Sequence, residues 1–154
     1  MKVYLVQHAK ALPEEIDPDR ALSKEGHDDA ERMAGWAASV SLEVQQIRHS
    51  GKTRAEQTAN TLAQGLTVPD GVVEFAGLGP VDDVKPIAAE LTIAQQPLML
   101  VGHLPFMERI ASHLLIGDAE KKLVDFQNAG IVCLEQKEND VWHLAWAVTP
   151  DLVK

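Results

Sequence analysis

Leu98-Met99-Leu100-Val101 runs straight into Gly102-His103-Leu104-Pro105, and Val3-Tyr4-Leu5-Val6 runs in the same way into Gln7-His8-Ala9. Four-residue apolar runs closed by turn-forming residues read as fully buried strands of an α/β sheet. In open α/β sheets, ligands bind just outside the carboxyl ends of the strands. His8 and His103, far apart in sequence, are therefore expected on one ligand-binding edge.

Between and beyond these runs, strand and helix patterns alternate. Ser23 is a good N-cap with Glu25 in the first turn, and Ala30, Met33, Ala34, Ala37 and Val40 recur at helical spacing. That predicts a helix from Ser23 through about Val40. Val44 to Arg48 reads as a second strand. Ser50 or Thr53 then caps a helix from Arg54 to about Leu62, ended by Gly65. Val72 to Phe75 is a short strand. Asp82 or Asp83 opens a helix through about Gln95, with Pro86 in its first turn, where a missing N–H does no harm. A further helix follows from Phe106 to Leu115, stopped near Gly117. Gly130 to Val148 reads as two strands joined at Glu138-Asn139-Asp140, a hairpin. The order implies a three-layer α/β/α sandwich on a mixed, mostly parallel sheet, in one domain spanning residues 1–154.

Composition narrows the class. A chain of 154 residues, 45% hydrophobic and 24% charged, has an ordinary globular make-up and no disorder signature. A domain of that size buries roughly 70% of its unfolded surface. The net charge of −9 argues against nucleic-acid and anionic-membrane partners, which need clustered Lys and Arg. A phosphate pocket stays open, because local charge and oriented N–H groups decide it. Gln7-His8 interrupts the first apolar run far short of a signal-peptide core, and no run approaches the ~18 apolar residues of a membrane span. The sole cysteine, Cys133, lies in a strand pattern and reads as a buried structural thiol. A cytoplasmic location is expected.

Ser50-Gly51-Lys52-Thr53 suggests a phosphate-binding P-loop, but that motif needs a glycine where this chain has Gln46. Without it the loop cannot wrap a nucleotide's phosphates. The same segment continues as Arg54-Ala55-Glu56-Gln57-Thr58-Ala59. At a strand end and helix start, Arg54 can direct a guanidinium fork at an anion, helped by the helix dipole. Read alone, it is first of all a surface arginine paired with a carboxylate.

Taken in order, His8 after the first strand, Ser-x-x-x-Arg-Ala-x-Gln-Thr-Ala ending at Ala59, and Gly102-His103 after a later strand resemble the histidine phosphatase superfamily. The small size, Ala21-Leu22-Ser23-x-x-Gly26, Gly102-His103-Leu104-Pro105 and Phe126-Gln127-Asn128-Ala129-Gly130 resemble its SixA-like phosphohistidine phosphatase branch. The resemblance spans nearly the whole chain. It implies a phosphoglycerate mutase-like fold and a phosphatase that forms a phosphohistidine on His8, with a phosphorylated histidine of a protein as substrate. In the family's first motif an arginine precedes the histidine and binds phosphate; here Gln7 stands in its place, and Ala9 replaces a glycine. Gln7 donates two N–H bonds without charge. Losing a charge-assisted contact of ~1.5–3 kcal/mol corresponds to about 10- to 150-fold in rate, not abolition. Lys10 and Lys52 are candidates to restore the charge.

The chemistry stands without the family. A neutral imidazole is a competent nucleophile at pH 7, so His8 would attack phosphorus in line. Gln7, Arg54 and His103, the last as imidazolium, would hold the equatorial oxygens, with N–H groups after His103 adding donors. No cofactor or metal is expected: two histidines make a poor zinc site. Asp82, Asp83 and Glu108 are the carboxylates considered as proton donors, although the two aspartates also read as helix caps. The resemblance to the SixA-like branch, whose members lack an obvious acid, implies a substrate with a labile P–N bond, and an open site in a short chain suits a phosphorylated protein side chain. Two other readings remain, a phospho-ligand binding module without turnover and a phosphatase of small phosphate esters. His49 is a candidate pocket residue, His27, His113 and His143 read as surface or packing groups, and Trp36, Trp142 and Trp146 as core.

Overall fold

In a computed structural model describing residues 1–153, the chain runs β1 (Lys2–Gln7), α1 (Lys24–Ser39), β2 (Gln46–His49), α2 (Thr53–Ala63) and β3 (Val72–Glu74). It continues through α3 (Lys85–Ile93), β4 (Leu98–Gly102), α4 (Phe106–Ile116), β5 (Ile131–Gln136) and β6 (Trp142–Val148). The strands form one sheet in the order β3-β2-β4-β1-β5-β6. β3, β2, β4 and β1 pair in parallel, while β5 pairs antiparallel with β1 and with β6. The mixed, mostly parallel sheet expected from the sequence is the one observed.

Side-chain alternation splits the core into two faces. Tyr4 and Val6, Met99 and Val101, and Ile131 and Cys133 point to the side covered by Met33 of α1 and Ala59 and Leu62 of α2. Val3 and Leu5, Leu98 and Leu100, and Val132 and Leu134 point to the side covered by Ile87 and Leu91 of α3 and Ile110 of α4. A strand apolar at every position must be covered on both faces, which is why these runs carry no alternation of polarity. The result is the three-layer sandwich.

The helix boundaries show which local rules prevail. Ser23 caps α1 as expected, its Oγ accepting the Gly26 N–H at 3.0 Å. At α2 neither Ser50 nor Thr53 is the cap. The helix begins at Thr53, so Lys52 takes that position with no side-chain bond, and Ser50, two residues earlier, has its hydroxyl on His103. α3 starts later than expected, after Val84, since Asp83 spends its carboxylate on the Lys85 N–H and Asp82 accepts from the Gly79 N–H. Gly117 ends α4 in the left-handed conformation, at φ 73°, with its N–H on the His113 carbonyl. Trp36 packs edge-on against Trp146, centroids 5.3 Å apart, and Trp142 is buried on the other face.

Candidate active site

β2, β4 and β1 are adjacent and parallel, so their carboxyl ends deliver Ser50, His103 and His8 to one edge. Neighbouring strands lie about 4.8 Å apart, and the His8 and His103 rings accordingly meet with centroids 5.1 Å apart and planes tilted by 53°. This is also where the strand order reverses direction, the usual ligand crevice of such sheets.

Three separate segments fix the backbone around His8. Its N–H continues the ladder to the Gly102 carbonyl at 2.9 Å. The next N–H, of Ala9, donates to Thr58 Oγ1 of α2 at 2.9 Å, and Asn128 Nδ2 donates to the His8 carbonyl at 2.9 Å. His8 Nδ1 lies 2.7 Å from the Ala9 carbonyl. A carbonyl only accepts, so Nδ1 carries the proton and Nε2 keeps its lone pair. Burial pushes the His8 pKa down to about 4, with the charges of Arg54 and Arg20 acting the same way against the Ala9 carbonyl. His8 is therefore neutral at pH 7.

His103 is 2% exposed, and its Nε2 sits 2.6 Å from Ser50 Oγ. That hydroxyl also accepts the Lys52 N–H at 3.3 Å, and its own proton can be given to the Nε2 lone pair of a ring protonated at Nδ1. That tautomer presents the Nδ1 proton, unpartnered, to the site. Burial foremost, then His8, Arg54, Lys52 and Arg20, lower the His103 pKa to about 3. As it stands the ring is neutral, not the imidazolium expected from sequence; a bound phosphoryl dianion would favour the charged form. Arg54, at the start of α2, has its pKa lowered by burial and then by Arg20.

Among the described residues, three buried side-chain polar atoms lack a hydrogen-bond partner: Gln7 Oε1, Arg54 Nε and His103 Nδ1. Each such atom costs about 1–3 kcal/mol, and natural folds rarely tolerate them. All three belong to the residues singled out for holding phosphate. Arg54 Nε and His103 Nδ1 are donors; a flip of the Gln7 amide turns its NH₂ to the same side.

The structure disperses the remaining candidates. Lys10 Nζ bonds Glu25 Oε2 at 2.8 Å on the surface, so its charge is compensated there. Lys52 is exposed, although its charge reaches His103. Asp82 and Asp83 are turned to backbone N–H groups, and Glu108 faces Lys122 at 3.8 Å. His49 is 4% exposed beneath the 50–53 loop, its Nδ1 accepting the Gly51 N–H at 3.1 Å. His27 and His143 are exposed, and His113 is half-buried in α4. Among the described residues, no group of three His, Cys, Asp or Glu is arranged to hold a metal, and no helix is long and apolar enough to cross a membrane. Sequence reasoning gave no role to Thr58 or Asn128, whose bonds to Ala9 and His8 depend on tertiary contact alone.

Beside Gln7 a groove of about 570 Å³ runs between Lys10, Glu25 and Arg32 on one wall and Phe126, Gln127 and Asn128 on the other. It adjoins the histidine pair and does not enclose it.

No protein-family model matches the chain. In sequence it is 24% identical to the phosphohistidine phosphatase SixA of Escherichia coli (strain K12), over 97% of this chain and 94% of that protein. The solved structure of the protein histidine phosphatase SixA with tungstate superposes with a TM-score of 0.87 at 24% identity, covering 99% of both chains. The Agrobacterium tumefaciens structure bearing the same SixA name gives a TM-score of 0.76 at 28% identity, over 96% of this chain and 97% of that one. The fold is that of the histidine phosphatase superfamily, phosphoglycerate mutase-like in architecture. Within it, these relatives in sequence and structure are SixA proteins.

Proposed function

We propose that this chain is a phosphohistidine phosphatase, removing the phosphoryl group from a histidine of a phosphorylated protein through a phosphohistidine on its own His8. The observation that carries the reading is the set of three unpartnered polar atoms on Gln7, Arg54 and His103, beside a neutral histidine whose Nε2 lone pair is free. In the first step His8 Nε2 bonds to phosphorus as the substrate's P–N bond breaks. The electron pair passes to the leaving imidazole, which takes a proton from solvent. Positive charge growing on the His8 ring is stabilised through Nδ1–H by the Ala9 carbonyl. Arg54 and His103 Nδ1 meet the negative charge on the equatorial oxygens. In the second step water attacks phosphorus, the bond to His8 breaks, and inorganic phosphate leaves. No carboxylate considered as a proton donor faces the site, which suits a substrate whose leaving group is an imidazole rather than an alkoxide. The groove beside Gln7 suits a side chain presented on a protein surface. We place the reaction in the cytoplasm, where a lone buried thiol such as Cys133 needs no disulfide partner.

The test is hydrolysis of a phosphohistidine-bearing protein, with trapping of labelled phosphate on the enzyme and para-nitrophenyl phosphate as comparison. His8→Ala is expected to remove the covalent label and lower turnover by about 10⁴-fold or more. Wild-type protein that binds phosphate through Arg54 but forms no covalent label would instead be a phospho-ligand binding module.

A further inference from the structure

Gln7 leaves the edge one cation short for a phosphoryl dianion, and neither lysine named from sequence replaces it: Lys10 is paired with Glu25 and Lys52 is exposed. A different residue is built toward the site. The segment after β1 doubles back on itself: the Leu12 N–H donates to the Ala21 carbonyl at 2.8 Å, and Ala11 bridges Leu22. The returning strand is then pinned to α2, the Leu22 N–H donating to Gln57 Oε1 at 2.7 Å, one helical turn past Arg54. Arg20 stands at the start of this return. Its backbone is left-handed, at φ 50°, a conformation costly for any residue with a Cβ and one that gathers at functional positions. Asp17 secures the turn by accepting the Asp19 and Ala21 N–H groups at 3.1 and 2.9 Å. Arg20 is half-buried, and its Nε donates to the Leu12 carbonyl at 3.2 Å. Among the described residues it makes no ion pair with a carboxylate.

We propose that Arg20 is the second cation of the phosphate site, binding phosphoryl oxygens alongside Arg54 and standing in for the charge that Gln7 lacks. A half-buried guanidinium, held by Nε and free of carboxylates, is poised to take an anion through its terminal nitrogens. The bond from Leu22 to Gln57 sets this return beside the first turns of α2, and the Arg20 charge pushes His8, His103 and Arg54 toward the less protonated state. The bond to Leu12 locks the stem of the side chain and leaves its terminal nitrogens without a hydrogen-bond partner among the described residues.

This inference rests on the proposed phosphatase reading. Inorganic phosphate binding, measured by calorimetry, separates the two because it needs no turnover. Arg20→Gln is expected to weaken phosphate binding and lower kcat/KM by about 10- to 150-fold, the value of one charge-assisted contact. Arg20→Lys, which keeps charge and loses the Leu12 bond, should fall between the two. Adding Gln7→Arg to Arg20→Gln should restore phosphate binding at least tenfold, a recovery that a merely structural role for Arg20 would not give. Folded Arg20→Gln protein that binds phosphate as tightly as wild type, or a folded double variant with no recovery, overturns the assignment. If Arg20→Gln retains affinity while wild type labels on His8 and turns over, only the role of Arg20 falls; if wild type binds phosphate without labelling, it is the phosphatase reading that falls.

Discussion

β1 and β4 of the parallel half of the sheet and β5 and β6 of its antiparallel hairpin are all largely apolar strands, yet they end differently. β1 and β4 are buried along their apolar runs and lead into Gln7 and His103, each of which leaves one buried polar atom without a partner. β6 turns Leu144 half into solvent, 50% exposed, and spends its aromatic residue Trp146 on Tyr4 and Trp36. Parallel strands expose all their carboxyl ends on one edge, so unsatisfied donors can be gathered there. An antiparallel hairpin returns the chain to the opposite end and can gather nothing comparable. The hairpin is scaffold; the parallel edge is where stability is given up for binding.

That contrast can be broken experimentally, beginning with packing. Leu100 is fully buried in β4 and Leu144 is not. Leu100→Ala should cost about 2–5 kcal/mol, and Leu144→Ala no more than about 0.5 kcal/mol, in chemical denaturation. Equal costs would mean that the hairpin is as integral as the central strands.

Acid supplies a second and smaller test. His8 and His103 titrate near 4 and 3 in the folded chain, against about 6.5 unfolded. Between those values the unfolded chain binds more protons, so stability is complete above about pH 6.5 and falls as the pH drops toward 3. The slope is at most ~1.4 kcal/mol per pH unit for each histidine. His8→Ala and His103→Ala should flatten the curve. By the same value, the acid limb of kcat/KM should bend near pH 4, since that parameter reports the free enzyme.

The smallest effect separates a cap from a site residue. If the Ser50 hydroxyl serves His103, Ser50→Ala should lower kcat about tenfold, roughly the worth of one hydrogen bond, while the melting temperature barely moves. Loss of stability with unchanged kcat would make Ser50 a structural residue of the loop before α2.

The sequence made much of this legible because its strongest signals are local. Uninterrupted apolar runs announced β1 and β4, and the residues just after them were bound to share an edge. Arg54 was visible from its place at a helix start. What escaped depended on contacts between distant segments. Ser50 satisfies every rule for an N-cap, and only the neighbouring end of β4 shows why its hydroxyl is used elsewhere. Lys10 looked free until the return of the chain brought Glu25 against it. Arg20 lies in a polar loop where nothing in the local pattern signals a left-handed turn or an inward side chain. Its importance follows from Gln7, a departure readable in sequence, but its position does not.

The bond from Asn128 to the His8 carbonyl joins residues 120 positions apart, and this bears on the order of assembly. β1 precedes the other strands in the chain, yet its two sheet neighbours begin at Leu98 and Ile131. During synthesis the strand carrying His8 has neither edge covered until most of the chain has been made. Such long-range pairing is slow to form and leaves bare strand edges in the meantime. His8, the proposed nucleophile, is thus among the last parts of the molecule to be locked in place. An incomplete chain ending before residue 128 would carry the reactive histidine without the clamp that aims it, so catalytic competence arrives only with the closing segment.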